Sequence, residues 1–129
     1  MRILLAEDNP ANVELFVAAL EADGHRVTVV SDGRSAVDRA LGEPFDLVVL
    51  DIQMPRLDGH AACAELRAAG RIGPIIALSA AAMPDDLRRG LQSGFDAYLT
   101  KPIRPAELRA QVRRFEGHGG SGGPRSGPS

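Results

Sequence analysis

Residues 45–59, Phe45 to Gly59, read FDLVVLDIQMPRLDG, and the rest of the chain is built around them. Leu47, Val48, Val49 and Leu50 form a short continuous apolar run. Such a run fits a strand buried on both faces, as in a parallel sheet. It stops at a carboxylate, Asp51. Open α/β sheets bind their ligands at the C-terminal ends of strands, so Asp51 stands where chemistry is expected. Met54-Pro55 and Asp58-Gly59 then end the strand and open a helix.

The same alternation extends in both directions. Arg2 to Ala6 reads as a first strand, followed by the acidic pair Glu7-Asp8. Asn9 is a good helix N-cap with Pro10 at the first helical position. Val13, Phe16, Val17 and Leu20 recur at helical spacing, and Gly24 ends that helix. Val27 to Val30 is a second strand. A second helix carries Val37, Ala40 and Leu41 on one face and stops at Gly42. A third helix runs from about Gly59 to Ala69, with Asp58 as its N-cap and Gly70 as its stop. Ile75 to Leu78 is the fourth strand, ending in Ser79. After the Ala80 to Met83 loop, Pro84, Asp85 and Asp86 open a fourth helix whose inward residues are Leu87 and Leu91 and whose stop is Gly94. Ala97 to Leu99 is a fifth strand, followed by Thr100, Lys101 and Pro102. Pro105 opens a last helix with Leu108, Val112 and Phe115 as its apolar stripe. Four of the helices end on glycine, as left-handed caps prefer. Five strands alternating with five helices give an α/β fold with a parallel sheet covered on both faces.

Composition narrows the function classes. A chain of 129 residues with net charge −2 is one domain with no electrostatic case for nucleic acid. No run is long enough to span a membrane, and Met1-Arg2 leads straight into a strand instead of a leader peptide. The single cysteine, Cys63, excludes an internal disulfide, fits a cytoplasmic protein and reads as a small buried hydrophobe. Residues 1–116 are expected to form the domain. Residues 117–129, GHGGSGGPRSGPS, read as a flexible tail, with His118 solvated within it. Of the 15 basic residues only Lys101 is lysine, which suits a site needing a compact ammonium.

In a parallel sheet all C-terminal strand ends lie on one edge. That edge gathers Glu7 and Asp8, Asp51, Ser79 and Lys101. Three carboxylates held together repel one another, and a hard dication such as Mg²⁺ resolves the conflict. Phosphoryl transfer needs a nucleophile and charge neutralisation on the phosphoryl oxygens. Asp51 supplies the first. Mg²⁺ (or Mn²⁺), Lys101 and Ser79 supply the second.

The motifs LLAEDN, VVLDIQMPRLDG, ALSA and YLTKPI together resemble the receiver domains of two-component response regulators, over about Arg2 to Phe115. The resemblance is to stand-alone chemotaxis-regulator-like receivers and to those of hybrid kinases. It implies a flavodoxin-like doubly wound sheet of order 2-1-3-4-5. It implies that Asp8, Asp51 and the backbone carbonyl of Gln53 bind the metal, with Glu7 acting through a water. It implies that Asp51 takes a phosphoryl group from a phosphohistidine on a histidine kinase or histidine phosphotransfer protein. Ser79 and Lys101 then hold the phosphoryl oxygens, and Tyr98 is the switch aromatic. A cis peptide before Pro102 is implied as well. The output is expected at the face of the fourth helix, fifth strand and last helix, toward a downstream protein. Such a module is regulatory, with self-phosphorylation and self-dephosphorylation as its only chemistry.

No DNA-binding segment is expected after Phe115. A stand-alone receiver is therefore expected, with a separated hybrid-kinase receiver as the alternative within the family. A metal-dependent aspartyl-phosphate phosphatase or phosphotransferase is the alternative from another class. Such enzymes carry a second acid two residues after the nucleophile, where this chain has the amide Gln53. A flavin-type mononucleotide site ranks below both, because Glu7-Asp8 would repel a bare phosphate.

Overall fold

The computed structural model describes residues 1–71, 73–80, 88–89 and 92–119. Its elements are β1 (Arg2–Ala6), α1 (Pro10–Ala22), β2 (Arg26–Val30), α2 (Gly33–Gly42), β3 (Leu47–Asp51), α3 (Gly59–Ala68), β4 (Ile75–Ser79), β5 (Ala97–Thr100) and α4 (Pro105–Gly119). The strands form one parallel sheet in the order β2-β1-β3-β4-β5. The expected flavodoxin-like fold is therefore present.

Strand periodicity divides the core in two. On one face Leu4, Ala6, Val48, Leu50, Ile75 and Ala77 meet α2 and α3 through Ala36, Val37, Ala62, Cys63 and Leu66. On the other, Ile3, Leu5, Leu47, Val49, Ile76 and Leu78 meet α1 and α4 through Phe16, Leu20, Leu108 and Val112. Successive residues of each strand thus feed opposite layers, which is why the central strands read as unbroken apolar runs. The chain winds outward from β1 to β2, then returns across β1 to β3. The resulting switch point lies between the C-terminal ends of β1 and β3.

Local chemistry fixes the helix starts. The Asn9 side chain accepts from the amides of Ala11 and Asn12, with Pro10 opening α1. Asp32 caps α2 and Asp58 caps α3, accepting from the amides of Ser35 and Ala61. Gly24, Gly70 and Gly94 have φ of 89°, 98° and 105°, the left-handed geometry expected of helix stops.

Three details differ from expectation. Gly42 is the last residue of α2 and has no left-handed conformation; Glu43 caps that helix in extended geometry. Leu41 is 53% exposed although it lies four residues after the buried Val37, on the same helix face, because it falls in the last turn of α2. α4 runs to Gly119, three residues into the segment read as tail. The fourth helix expected from Pro84 falls largely outside the described residues, as do Ala81, Asp85, Asp86, Leu87 and Leu91 and the tail from residue 120. Arg88, Arg89, Gln92 and Ser93 are helical. Among the described residues no helix is long and apolar enough to cross a membrane.

Candidate functional site

The site sits at the switch point. Asp51 closes β3 and is 1% exposed. One of its oxygens accepts from the backbone amide of Gln53 at 3.0 Å, and the other accepts from Lys101 Nζ at 2.6 Å. Glu7, at the end of β1, is also 1% exposed. Its Oε2 accepts from the Asn9 amide at 3.1 Å. Its Oε1 is buried without a hydrogen-bond partner and lies 3.6 Å from Lys101 Nζ. Asp8 is exposed. One oxygen each of Glu7, Asp8 and Asp51 lies within 4.8 Å of the others.

One ammonium therefore faces two buried carboxylates, with a third, Asp8, beside them. Burial, opposed by the Asn9 amide and reinforced by the Asp51 charge, pushes the Glu7 carboxyl above its ordinary range. Burial alone would lower Lys101. Its bond to Asp51 and the attraction of Asp51 and Glu7 outweigh that and raise it. The orphaned Glu7 oxygen and the excess negative charge are what a hard dication with oxygen ligands would satisfy, so these residues fit a metal.

Backbone packing aims these groups. Ile52 N donates to Leu78 O at 2.8 Å and Gly59 N to Ile52 O at 2.9 Å, tying the start of α3 to the end of β3. A Cβ on Gly59 would lie 2.7 Å from Asp51 O and 2.8 Å from Ile52 Cα, so the Asp58-Gly59 pair is needed for that close approach. Lys101 N donates to Ser79 O at 2.6 Å, and the Lys101-Pro102 peptide is cis. Ser79 is fully buried.

A cleft of about 450 Å³ opens beside the acids and is lined by Asp8, Gln53, Met54, Ser79, Arg89 and Tyr98, among others. The Tyr98 hydroxyl is buried and has no hydrogen-bond partner among the described residues. The structure thus brings Glu7 and Asp51 against Lys101, with Asp8 within 4.8 Å of both acids, and gathers Gln53, Ser79 and Tyr98 on the cleft wall. Asp58 serves as the N-cap expected of it.

Sequence reasoning missed the support beneath the β3–α3 loop. Asp32 accepts from Ser35 N at 2.7 Å, from Ser35 Oγ at 3.1 Å and from Arg56 Nη1 at 3.4 Å. Arg56 has φ of 70°, a conformation that costs a non-glycine residue energy. A Cβ on Gly33 would lie 1.8 Å from Leu57 O, so that glycine lets the loop rest on α2. Nothing local in the Ser31-Asp32-Gly33 stretch pointed to Leu57. Also missed was His60, whose Nδ1 lies 3.0 Å from Ser93 Oγ beside the cleft.

The sequence profile of the response regulator receiver domain matches residues 3–113. The chain belongs to the response regulator receiver family. This receiver domain is 43% identical over 121 residues to the sensor histidine kinase GacS of Pseudomonas protegens, covering 90% of the chain and 13% of that protein. It is 41% identical over 119 residues to the transcriptional regulatory protein TcrA of Mycobacterium tuberculosis, covering 92% of the chain and 47% of TcrA. It therefore spans less than half of either relative. Among solved structures, the receiver domain of a sensor histidine kinase from Pseudomonas aeruginosa superposes with a TM-score of 0.82 at 44% identity, covering 90% of this chain and 97% of that one. That relative has a magnesium ion coordinated in its active-site cleft. As a receiver domain, this chain is a regulatory phosphoacceptor module of two-component signalling.

Proposed function

We propose that Asp51 is the phosphoacceptor. Its carboxylate attacks the phosphorus of a phosphohistidine on a histidine kinase or histidine phosphotransfer protein. The P–O bond forms as the N–P bond breaks, and the imidazole leaves with that electron pair and takes a proton from water. The observation that carries this reading is the 2.6 Å contact from the only lysine of the chain to a buried strand-end aspartate inside a three-acid cluster.

Asp8, Asp51 and the Gln53 carbonyl would hold Mg²⁺ (or Mn²⁺), with Glu7 acting through a water. When bound, the ion supplies charge neutralisation for a phosphoryl oxygen. Lys101 exchanges its contact with the Asp51 carboxylate for one with a phosphoryl oxygen, and the Ser79 hydroxyl donates to another. Phosphorylation pulls Ser79 toward Asp51 and draws Tyr98 further into the cleft. The surface of β5, α4 and the segment before Gly94 thereby changes for a downstream protein. Hydrolysis of the acyl phosphate in the same site resets the switch, so the chemistry is confined to the domain's own carboxylate. Residues 1–116 are the signalling unit on this reading, and residues 117–129 a connector by composition. The unit works in the cytoplasm, where ATP supplies the phosphohistidine.

Incubation with Mg²⁺ and acetyl phosphate should add one phosphoryl mass to the peptide containing Asp51. Asp51→Asn should remove the label while preserving the fold. A hydroxylamine-sensitive label retained in Asp51→Asn would refute the assignment.

A further inference from the structure

α3 holds the segment that precedes β5 at both of its own ends. In its last turn, Arg67 donates through Nε and Nη2 to Gly94 O, at 3.0 and 2.8 Å, and through Nη2 to Asp96 at 2.8 Å. In its first turn stands His60, which is 7% exposed. The Nδ1 of His60 lies 3.0 Å from Ser93 Oγ, and its ring meets Phe95 edge to face with centroids 5.8 Å apart. Seven residues of helix separate the two attachments by about 10 Å. The Arg67 end is the one remote from Asp51. The His60 end is seated on it: Gly59 N donates to Ile52 O at 2.9 Å, and a Cβ at position 59 would fall 2.7 Å from Asp51 O.

The direction of the His60 bond follows from proton counting. A serine hydroxyl has one proton to give. Ser93 gives it to Arg89 O at 2.9 Å, one turn back in the helical segment. Nδ1 of His60 is therefore the donor, and Ser93 Oγ accepts. Two hydrogen bonds in series run from the first turn of α3 to the backbone of Arg89, whose side chain lines the cleft together with His60, Ser79 and Tyr98. Parting Ser93 from the buried imidazole would strand a polar group in the interior, which is costly, so the segment and the start of α3 are held to move together. After Ser93 the chain turns at Gly94, with φ of 105°, buries Phe95 and enters β5, which carries Tyr98.

We propose that His60 is a positioning residue of the switch: through Ser93 it carries displacement of the β3–α3 loop into the segment that leads to β5. The inference rests on Asp51 being the phosphoacceptor. Arg67 anchors Gly94 and Asp96 to the far end of α3 and serves as the fixed point. The His60 contact lies at the end of α3 next to Asp51, where a change at the carboxylate is first felt.

The test compares amide chemical shifts of the isotope-labelled chain in Mg²⁺ alone and in Mg²⁺ with beryllofluoride, which mimics a phosphoryl group on a carboxylate. In the parent, Ser79, Gln92 and Phe95 should all respond. Ser93→Ala removes the acceptor and leaves a good helix former, and it should abolish the responses of Gln92 and Phe95 while that of Ser79 persists. His60→Leu should do the same. His60→Asn, whose side-chain N–H can stand where Nδ1–H does, should restore them. His60→Leu combined with Ser93→Ala should lose no more than either alone. Full responses of Gln92 and Phe95 in Ser93→Ala would overturn the proposal, and so would His60→Asn behaving like His60→Leu, since the imidazole would then serve packing alone. Acetyl phosphate labelling, read by mass, separates this inference from the one beneath it. A parent labelled at Asp51 whose Gln92 and Phe95 stay still would overturn the role of His60 only, whereas a parent without label at Asp51 would refute the phosphoacceptor assignment itself.

Discussion

Glu7→Gln should stabilise the metal-free domain. The substitution keeps the side-chain shape and removes one negative charge from a position that is 1% exposed. At an effective dielectric of about 20, attraction between Glu7 and Lys101 at 3.6 Å contributes about 4.6 kcal/mol. Repulsion from Asp51, with an oxygen within 4.8 Å, takes back at least about 3.5 kcal/mol. Asp8 lies within the same distance but is exposed, and solvent roughly halves its effect to about 1.7 kcal/mol. The Coulomb interactions therefore nearly cancel. What remains is the burial of a carboxylate, which costs several kcal/mol even after relaxation. The charge-assisted bond from the Asn9 amide offsets about 1.5–3 kcal/mol of it. Neutral glutamine should accordingly gain about 1–2 kcal/mol, or roughly 3–10 °C in Tm for a domain of this size.

The pH dependence has a definite sign. The folded-state pKa of Glu7 is raised above its ordinary value of 4.5, so between those two values the folded state binds more protons than the unfolded one. Stability of the parent therefore falls as pH rises through that interval. The gap to Glu7→Gln should vanish below pH 4.5 and be complete above the raised value. Saturating Mg²⁺ should close it again, because the parent gains more from binding. Thermal unfolding in EDTA and in Mg²⁺, across pH, reads all three effects. A variant melting at or below the parent in EDTA near neutral pH would refute the reasoning, since it would mean that the charge of Glu7 supports the fold.

Lys101→Arg should slow labelling of Asp51 by acetyl phosphate about tenfold or more, because a planar fork cannot take the place of an ammonium 2.6 Å from Asp51; an unchanged time course by mass spectrometry would show that any cation serves. Gly33→Ala would drive a Cβ to 1.8 Å from Leu57 O, a backbone atom, and should cost at least about 2 kcal/mol, or roughly 8 °C in Tm. An unaltered melting curve would show that the loop yields freely. Cys63 is fully buried and burial pushes its thiol up to about 11, so a thiol reagent near pH 8 should label it only as fast as the domain unfolds; rapid labelling of the folded protein would contradict that.

The strand-end residues were legible because the signals are local. A buried parallel strand must read as an apolar run, and the residue that ends it is placed by that fact alone, as with Asp51 after Leu50 and Ser79 after Leu78. Helix caps are equally local, so Asn9-Pro10 and Asp58-Gly59 could be read from their neighbours. Leu41 shows where periodicity fails: it shares the helix face of the buried Val37, yet it stands in the last turn of α2 and is exposed, and only the packing of that helix end settles which.

Sequence by itself therefore determined the alternation of strands and helices, the edge on which the acids gather and the identity of the lysine among them. The tertiary structure decided which acid is buried and which is exposed, so that Glu7 lies against Lys101 while Asp8 opens on the cleft. It decided that Gly33 makes room for Leu57 and that Arg71 spends its guanidinium on the carbonyls of Phe45 and Pro74. These depend on distances between segments tens of residues apart, and such distances are fixed by how the layers pack, which no local stretch of chain encodes.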